Sequence, residues 1–358
     1  MEAVIVLLKI VFILSFQFGL LPLFIWLERK GSAYIQDRRG PNRAAILGFT
    51  IGGIFHTIAD GIKMFVKEDI MPQQANKALF ALAPVLVVIP SLLTFAIVPF
   101  GDVLTIGERV INLQVASLNV GILYIFAISS LGVYGIVLAG WASNNKYSLL
   151  GGLRSSAQMI SYEITLGLAI IGILMIYQAL DLQQIVRQQN QLLFGFIPLW
   201  GVVLQPLGFI LFIVAGFAEV NRTPFDLPEG ESEIVAGYHT EYSSLKFAMF
   251  YMGEYINMVV MSAVITTLFF GGWQIPFLYR DGFHIFSLSL PLHPILVTLL
   301  QVGAFAVKVM FFCWFFVWTR WTLPRVRYDQ LMKLGWKLLL PLALANIFIT
   351  GIIIILVK

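Results

Sequence analysis

The stretch Glu219-Val220-Asn221-Arg222-Thr223-Pro224-Phe225-Asp226-Leu227-Pro228-Glu229-Gly230-Glu231-Ser232-Glu233 separates two long apolar runs, at 196–218 and 246–271. Together with Glu241, it places six of the 19 acidic residues of the chain within 23 positions. Charge next to lipid is costly and is seldom kept without a use. The pattern predicts a membrane protein in which this acidic segment lies at the water-facing end of its helices.

The overall composition agrees with a membrane protein. Of the 358 residues, 59% are hydrophobic and 12% are charged, about half of the roughly 25% charged residues in soluble domains. Apolar runs long enough to span a bilayer, at about 20 residues each, occur eight times. We therefore predict an all-α integral membrane protein with one membrane domain covering residues 1–358 and eight transmembrane helices. The predicted spans lie near 3–27, 77–98, 119–141, 158–177, 196–218, 246–271, 294–319 and 336–357.

The basic residues predict the orientation of these spans. Most of the 23 lysines and arginines fall in the connections 28–76, 142–157, 219–246 and 320–337, whereas the alternate connections hold only Arg109, Arg187 and Arg280. By the positive-inside rule, the basic connections face inward and both termini face outward. The first apolar run is too long for a signal peptide and lacks a small-residue cleavage site, so we expect it to be retained. The sequence pI near 9.1 reflects this topology and gives no reason to expect nucleic acid as a partner.

Several classes of redox and nucleotide site lack support in the sequence. The single cysteine, Cys313, cannot by itself hold an iron–sulfur cluster or close a disulfide within the chain. No P-loop and no glycine-rich dinucleotide fingerprint is present. We expect no metal site, no redox centre and no catalytic residue in this chain.

The first basic connection contains a helical pattern. Its apolar residues recur at the spacing of one helix face, and Asp60, Lys63 and Lys67 share the other face. The run is too polar to span, so we predict an amphipathic helix near 45–67 in the plane of the membrane interface. It is either a surface anchor or a lintel over an opening through which an amphiphilic molecule enters. The apolar positions are Ile51, Ile54, Phe55, Ile58, Ile62, Phe65 and Val66.

The acidic segment predicts a group of coupled carboxyls. Pro224, Pro228 and Gly230 argue against continuous helix. Glu229, Glu231 and Glu233 would therefore share one side in an extended stretch. Crowded carboxylates raise one another's pKa, so the segment is interpreted as a proton reservoir with Arg222 as its counter-ion. The alternative is a solvated acidic loop that binds a basic surface of a partner.

Two glutamates lie inside predicted spans. Glu254 is about eight residues into the sixth span, roughly 12 Å deep at 1.5 Å per residue, too deep to reach water. We expect it to face the protein interior and to exchange protons, with Lys308 of the seventh span as a candidate partner. Glu163 lies about one turn inside the fourth span and either does the same or is solvated at the interface.

Ordered motifs along nearly the whole chain resemble the H-type membrane subunits of proton-pumping NADH:quinone oxidoreductase, respiratory complex I, whose mitochondrial counterpart is NADH dehydrogenase subunit 1. The acidic segment is the most specific of them. The His56-Thr57 pair departs from the family, in which many members have Gln-Pro. The other motifs are Glu28-Arg29-Lys30-Gly31, Gln36-Asp37-Arg38-Arg39-Gly40-Pro41-Asn42-Arg43, Gly140-Trp141, Ser161-Tyr162-Glu163, Glu254-Tyr255 and Leu323-Pro324-Arg325.

The resemblance implies a membrane subunit that docks the peripheral arm and forms much of a quinone chamber. Ubiquinone or menaquinone would be the substrate, and an iron–sulfur cluster in another subunit would reduce it. The implied partners are the peripheral-arm subunits, adjacent small membrane subunits, antiporter-like subunits and lipid, in the inner membrane of a bacterium. The implied chamber residues are Arg29, Gln36, Arg38, Asp60, Lys63 and Arg222. The implied proton-coupling residues are Glu163, Glu219, Asp226, Glu229, Glu231, Glu233, Glu241 and Glu254.

Three other interpretations stay open. Related subunits occur in membrane-bound hydrogenases and ferredoxin-linked complexes. A self-contained proton or ion transporter would also use intramembrane carboxyls, although such proteins usually contain two related halves and the sequence has no visible internal repeat. A purely structural anchor for a peripheral enzyme is the third, and six acids beside lipid would be a costly way to build one.

Overall fold

The computed structural model describes residues 2–106, 109–193, 197–227, 230–285 and 288–357. This part of the chain is mostly helical, and the all-α multi-pass membrane protein predicted from the sequence is confirmed. The helices are α1 (Glu2–Ile35), α2 (Phe55–Val66), α3 (Lys77–Thr94), α4 (Gly121–Ser129), α5 (Leu131–Ala142), α6 (Lys146–Tyr177), α7 (Leu182–Gln188), α8 (Gly201–Leu204), α9 (Pro206–Glu219), α10 (Glu231–Ile234), α11 (Ser244–Phe269), α12 (Pro294–Thr322), α13 (Tyr328–Lys333) and α14 (Leu340–Val357).

Seven helical segments within the described ranges are long and apolar enough to cross a membrane. Two of them join neighbouring helices, since α4 continues into α5, and α13 continues through a π-helical turn at Leu334–Leu339 into α14. The fifth predicted span, 196–218, contains only the shorter helix α9 of 14 residues. Pro206 occupies its first turn, where a missing N–H costs least. At 1.5 Å per residue α9 is about 21 Å long, short of the roughly 30 Å hydrocarbon core.

Two helices extend further than their apolar stretches suggested. The first predicted span ends at residue 27, but α1 continues to Ile35. The fourth begins at 158 by hydropathy, but α6 begins at Lys146, where the side chain of Asn145 accepts a hydrogen bond from the backbone N–H of Tyr147. Hydropathy detects only the lipid-facing part of a helix. Glu163 consequently lies 17 residues after the start of α6, mid-way along it, rather than one turn inside a span.

The two ends of the bundle have different connections. We call the end formed by 28–76, 142–157, 219–246 and 320–337 the basic end, and the other the opposite end. The described strands belong to connections of the opposite end, and all pair antiparallel. They are β1 (Val103–Ile106) with β2 (Arg109–Asn112), β3 (Leu192–Leu193) with β4 (Ile197–Pro198), and the three-stranded order β5 (Leu278–Tyr279), β6 (Gly282–Ile285), β7 (Leu288–Pro291).

Helix α2 begins at Phe55, ten residues later than the predicted start near 45. A 3₁₀ turn at Ile51–Gly53 precedes it, and Gly53 has φ of +91°, with no room for a side chain because a Cβ there would overlap the Pro41 carbonyl oxygen. A continuous helix cannot pass through this turn. Within α2 the predicted faces are present: Thr57 is buried, whereas Ile58, Ile62, Phe65 and Val66 are exposed.

The acidic segment does not have the extended form that was expected for its glutamates. After Gly230 the chain forms the four-residue helix α10, which contains Glu231 and Glu233. The expectation of an extended stretch is therefore wrong at these two positions. Pro228 and Glu229 lie outside the described residues. Gly230 still separates α10 from the preceding turn, so the segment is not one continuous helix.

Helix α11 is the most enclosed of the seven spanning segments, and α1 and the α13–α14 segment are the most exposed. A small residue brings α11 against α3, because a Cβ on Gly253 would lie 2.7 Å from Cγ1 of Val87. Close approach at small residues is a usual means of helix association in membranes. The neighbouring Glu254 is carried into the middle of the bundle by this packing.

Candidate functional site

Glu28 is the centre of a buried ion cluster at the basic end. It lies in the last third of α1, and its Oε2 accepts hydrogen bonds from Arg222 Nη1 at 3.0 Å and from the Tyr255 hydroxyl at 2.7 Å. Its Oε1 accepts from Arg320 Nη1 of α12. The Glu28 and Arg222 side chains are only 9% and 3% exposed. Charges so deeply buried persist only when they are paired and hydrogen-bonded.

Arg222 faces two carboxyl groups with unequal closeness. Besides Glu28, its Nε lies 3.8 Å from Oε1 of Glu254, too far for a hydrogen bond, and the guanidinium stacks over the Tyr255 ring at 4.3 Å. Nε has no hydrogen-bond partner among the described residues. Burial alone would lower the pKa of Arg222, but the carboxylates of Glu254 and Glu28 outweigh it and raise the pKa above its ordinary value. Arg222 is therefore a permanent cation beside one close and one loosely held carboxyl.

Asp226 extends the cluster into the acidic segment. Its Oδ2 accepts from Arg325 Nη2 at 2.8 Å, whereas Oδ1 is buried without a hydrogen-bond partner among the described residues. Burial raises the pKa of Asp226, and the nearby Arg325 and Arg320 offset only part of that effect. Asp226 therefore takes up a proton more readily than an exposed aspartate.

Glu163 and Glu219 meet elsewhere in the bundle. Both line a small internal cavity bordered by α3, α4, α6, α9 and α11. Glu219, the last residue of α9, is 4% exposed, and its Oε2 is buried without a hydrogen-bond partner within the described ranges. The interior position expected for Glu163 thus agrees with its place at this cavity.

The other predicted acids lie nearer the surface. Glu233 forms an ion pair with Arg154 of α6 at 2.6 Å. Glu241 accepts a hydrogen bond from Asn145 Nδ2 at 2.6 Å and lines an open cleft of ≈ 890 Å³. The backbone of Glu231 lies in α10, and its side chain is outside the described atoms, as is the whole of Glu229. The acids therefore divide into a buried cluster, a cavity pair and a surface group.

The predicted chamber residues form two groups around the junction of α1 and α2. Arg29 pairs with Asp60 at 2.5 Å, and Lys63 lies 3.4 Å from the same carboxylate. Arg38 Nε donates to Gln36 Oε1 at 2.7 Å. Arg222 does not join them, because it points into the buried cluster. The two sets still meet along α1, where Glu28 and Arg29 are consecutive.

Three partners in the buried cluster were not assigned a role from the sequence: Glu28, Tyr255 and Arg320. Glu28 and Tyr255 occur in the motifs quoted above, but their pairing joins positions 227 residues apart. Arg320 is 292 residues from Glu28. The available signal was a charged residue close to the basic end of an apolar helix, which Glu28 and Arg320 both satisfy.

Lys308 does not pair with Glu254. Its ammonium donates to three backbone carbonyls at the far end of α11, those of Phe270 at 2.8 Å, Gly272 at 3.1 Å and Gln274 at 2.6 Å. It also lies 4.5 Å from the centre of the Trp200 ring. The proposed Glu254 partnership is wrong because α12 carries Lys308 toward the opposite end, where it holds carbonyls left free as α11 ends.

A second ion cluster closes the opposite end. Asp102 accepts from Arg187 and from Arg280, each at 2.8 Å through Nε. Its backbone N–H donates to Gln301 at 3.3 Å, and its carbonyl accepts from Gln183 at 3.1 Å. Two of the three arginines in these connections thus converge on one carboxylate and join three connections.

Comparisons with known proteins agree with these features. A family model described as NADH dehydrogenase matches residues 8–351. The chain is 50% identical over 329 residues to an H-type NADH-quinone oxidoreductase protein of Cytophaga hutchinsonii, covering 92% of this chain and 90% of that protein. It is 48% identical over 338 residues to an H-type protein of the same name from Geobacter metallireducens, with 91% and 89% covered. It is also 48% identical over 338 residues to its counterpart from Geobacter sulfurreducens, with 91% and 88% covered.

Proposed function

The chain belongs to the NADH dehydrogenase family, and from this we propose that it is a membrane subunit of a NADH:quinone oxidoreductase that couples quinone reduction to proton translocation. The observation that carries the proposal is the buried cluster of Glu28, Arg222, Glu254 and Arg320, with Asp226 beside it. Such a cluster changes its protonation when a nearby charge changes.

The chamber is assigned to the space beside α1 and α2. Arg29, Asp60 and Lys63 form a charged network there, and Gln36 and Arg38 lie on the same connection. The exposed apolar stripe of α2 lies in the membrane interface and forms one edge of the quinone entry. Ubiquinone or menaquinone is the substrate, and its polar head group meets these charged side chains while its tail stays in lipid.

Coupling then proceeds through shifts in carboxyl protonation. Withdrawal of protons by the reduced quinone leaves added negative charge beside Asp226. Arg222 and Arg320 are fixed cations, so the response falls on the carboxyls around them. Glu254 is the carboxyl with the loosest hold on Arg222, at 3.8 Å. It passes the change to Glu219 and Glu163, while Glu229, Glu231, Glu233 and Glu241 serve the end nearer the chamber.

The proposal assigns redox centres to partner subunits. Electrons come from an iron–sulfur cluster in a peripheral-arm subunit docked on the basic end, and protons leave through adjacent small membrane subunits and antiporter-like subunits. The relatives are named as subunits of NADH-quinone oxidoreductase, which favours this assignment over a related hydrogenase. Purification in mild detergent tests it: flavin and iron–sulfur subunits should co-purify, and a lone monomer with transport activity would instead support a self-contained transporter.

The membrane arrangement is part of the same proposal. The chain forms one domain in the inner membrane of a bacterium, with the basic end inside and both termini outside. Helix α9 together with α8 supplies an eighth crossing. Site-directed labelling of single introduced cysteines in the two kinds of connection, after replacement of Cys313, measures the orientation.

The decisive experiment replaces Glu254 by Gln and measures quinone reduction and proton pumping together in membranes. We expect both to fall, because the amide keeps the shape of the side chain but cannot exchange a proton. Asp329→Asn is the matched control, since Asp329 is an exposed acid at the same end, 3.6 Å from Arg327. Full coupled activity of the Glu254→Gln variant would refute the role of this cluster.

A further inference from the structure

The cavity between Glu163 and Glu219 is the starting point. Its volume is ≈ 20 Å³, and a buried water molecule needs about 10–15 Å³ measured in this way. The space therefore admits one water and nothing larger. Its wall is apolar except at Glu163, Glu219, Thr94, Ser129 and Asn257.

A buried water also needs two to four polar partners, by the usual pattern of such sites. Glu219 supplies one, because its buried Oε2 lacks a hydrogen-bond partner in the described part of the chain. The hydroxyls of Thr94 and Ser129 already donate to carbonyls of their own helices, at 2.7 and 3.1 Å. Asn257 carries an amide, which can donate and accept at once. The polar groups on this wall are sufficient to hold a water molecule.

Asn257 also connects this cavity to the ion cluster. On α11 the cavity is lined by Asn257, Val260, Met261 and Val264, which are spaced i, i+3, i+4 and i+7 and share one helix face. Glu254 is three residues earlier and continues the same stripe, about 4.5 Å nearer the basic end at 1.5 Å per residue. Asn257 therefore lies between Glu254 and the two carboxyls of the cavity.

We propose that Asn257 is a positioning residue that holds one water molecule between the carboxyls of Glu163 and Glu219, next to Glu254. A protonated carboxyl gives its proton to the water oxygen while the water releases one of its own protons to the second carboxylate. One proton moves and the water is regenerated. Asn257 itself neither gains nor loses a proton, because its amide only fixes the position of the water. The inference rests on the proposed role of these carboxyls in proton transfer.

The test uses the whole complex in sealed membrane vesicles and compares Asn257→Leu, Asn257→Asp and Val260→Ala. Leucine keeps the size of the side chain but cannot bind water, so quinone-driven proton pumping should fall at least about tenfold, because misplacing a reacting group by about 1 Å can cost a hundredfold. The solvent deuterium isotope effect on the rate should rise. Aspartate restores hydrogen bonding at the same size and should recover most of the pumping. Val260→Ala alters the packing of the same face and should leave pumping near that of the wild type.

Pumping by the leucine variant at the wild-type rate would overturn the inference, as would an equal loss in Val260→Ala. If Asn257→Leu fails to assemble, Asn257→Ala removes the amide without added bulk and is judged by the same two outcomes. The Glu254→Gln measurement separates the two proposals. If that variant is impaired while Asn257→Leu is not, only the role of Asn257 fails. If Glu254→Gln is fully coupled, the proposed function itself fails.

Discussion

The two ion clusters of the molecule differ in how fully their hydrogen-bonding groups are used. At the opposite end, Asp102 is held by Arg187 and Arg280, and the Lys308 ammonium uses its three donors on three carbonyls. At the basic end, Arg222 Nε, Asp226 Oδ1 and Glu219 Oε2 have no hydrogen-bond partner among the described residues. Saturated charges hold a structure in place, whereas unsatisfied buried ones retain the capacity to change partners or to take up a proton.

The replacement expected to have the largest effect is Arg222→Met, at the centre of the basic-end cluster. It leaves Glu28 and Glu254 buried without their shared cation, and removing one partner of a buried pair costs about 3–5 kcal/mol. We expect the melting temperature of the purified protein in detergent and the yield of assembled complex to fall sharply. The double variant Glu28→Gln with Arg222→Met should recover part of the loss. A melting temperature equal to that of the wild type would show that Arg222 does not compensate these carboxyls.

Lys308→Met tests whether the opposite end serves only to hold α11 and α12 together. Three carbonyls lose a charged donor, and a buried polar group left unpaired costs about 1–3 kcal/mol. We expect a lower melting temperature, while the number of protons pumped per quinone reduced stays unchanged. Lys337→Met, a lysine at the other end of the bundle, provides the comparison for loss of charge alone. A change in protons pumped per quinone at unchanged stability would contradict the contrast drawn above.

His239 makes the stability of the basic end depend on pH. Burial lowers its pKa from 6.5 to about 3, so the folded protein keeps it neutral while the unfolded chain takes up a proton below pH 6.5. The unfolded state then binds more protons, and stability falls as the pH drops from 6.5 toward 3, by at most about 1.4 kcal/mol per pH unit. Melting temperatures measured between pH 5 and 7 should show this slope.

The matched variant for that measurement is His239→Phe, which keeps a ring against Phe250 and Tyr251. It should melt with a weaker dependence on pH than the wild type over the same range. Identical slopes in the two proteins would mean that other groups cause the acid sensitivity of this end.

Asp102→Asn should have the smallest effect. The side chains of Arg187 and Arg280 are 45% and 66% exposed, and ion pairs with such solvated partners contribute up to about 1 kcal/mol. We expect a small decrease in melting temperature that shrinks further in high salt, with coupling unaffected. A loss as large as that of Arg222→Met would remove the distinction between the two ends.

Much of the fold could be predicted from the sequence, because lipid imposes apolar runs of a fixed length. The exceptions have local causes. Helix α2 starts late because of the turn at Gly53, and α6 begins before its apolar stretch because Asn145 caps it. Helix α9 is short and begins at Pro206. None of these features changes the hydropathy of the surrounding window.

The site was predicted less completely. Buried acids such as Glu254 are conspicuous in an apolar sequence, so they were found, whereas their partners were not. Lys308 was assigned to Glu254 on depth alone, although the direction of α12 carries it to the other end. Arg320 was missed as a partner because a basic residue at the end of a span is also the ordinary sign of topology. Its pairing with Glu28 exists only once the helices have assembled.

The sequence distance within the Glu28 cluster has a consequence for biosynthesis. Glu28 leaves the ribosome 194 residues before Arg222 and 292 residues before Arg320. The first helix therefore enters the bilayer with a carboxyl that must stay near water until a cation from a later part of the chain arrives. Insertion of α12 completes its neutralisation, so the most deeply held charge of the protein is also among the last to be buried.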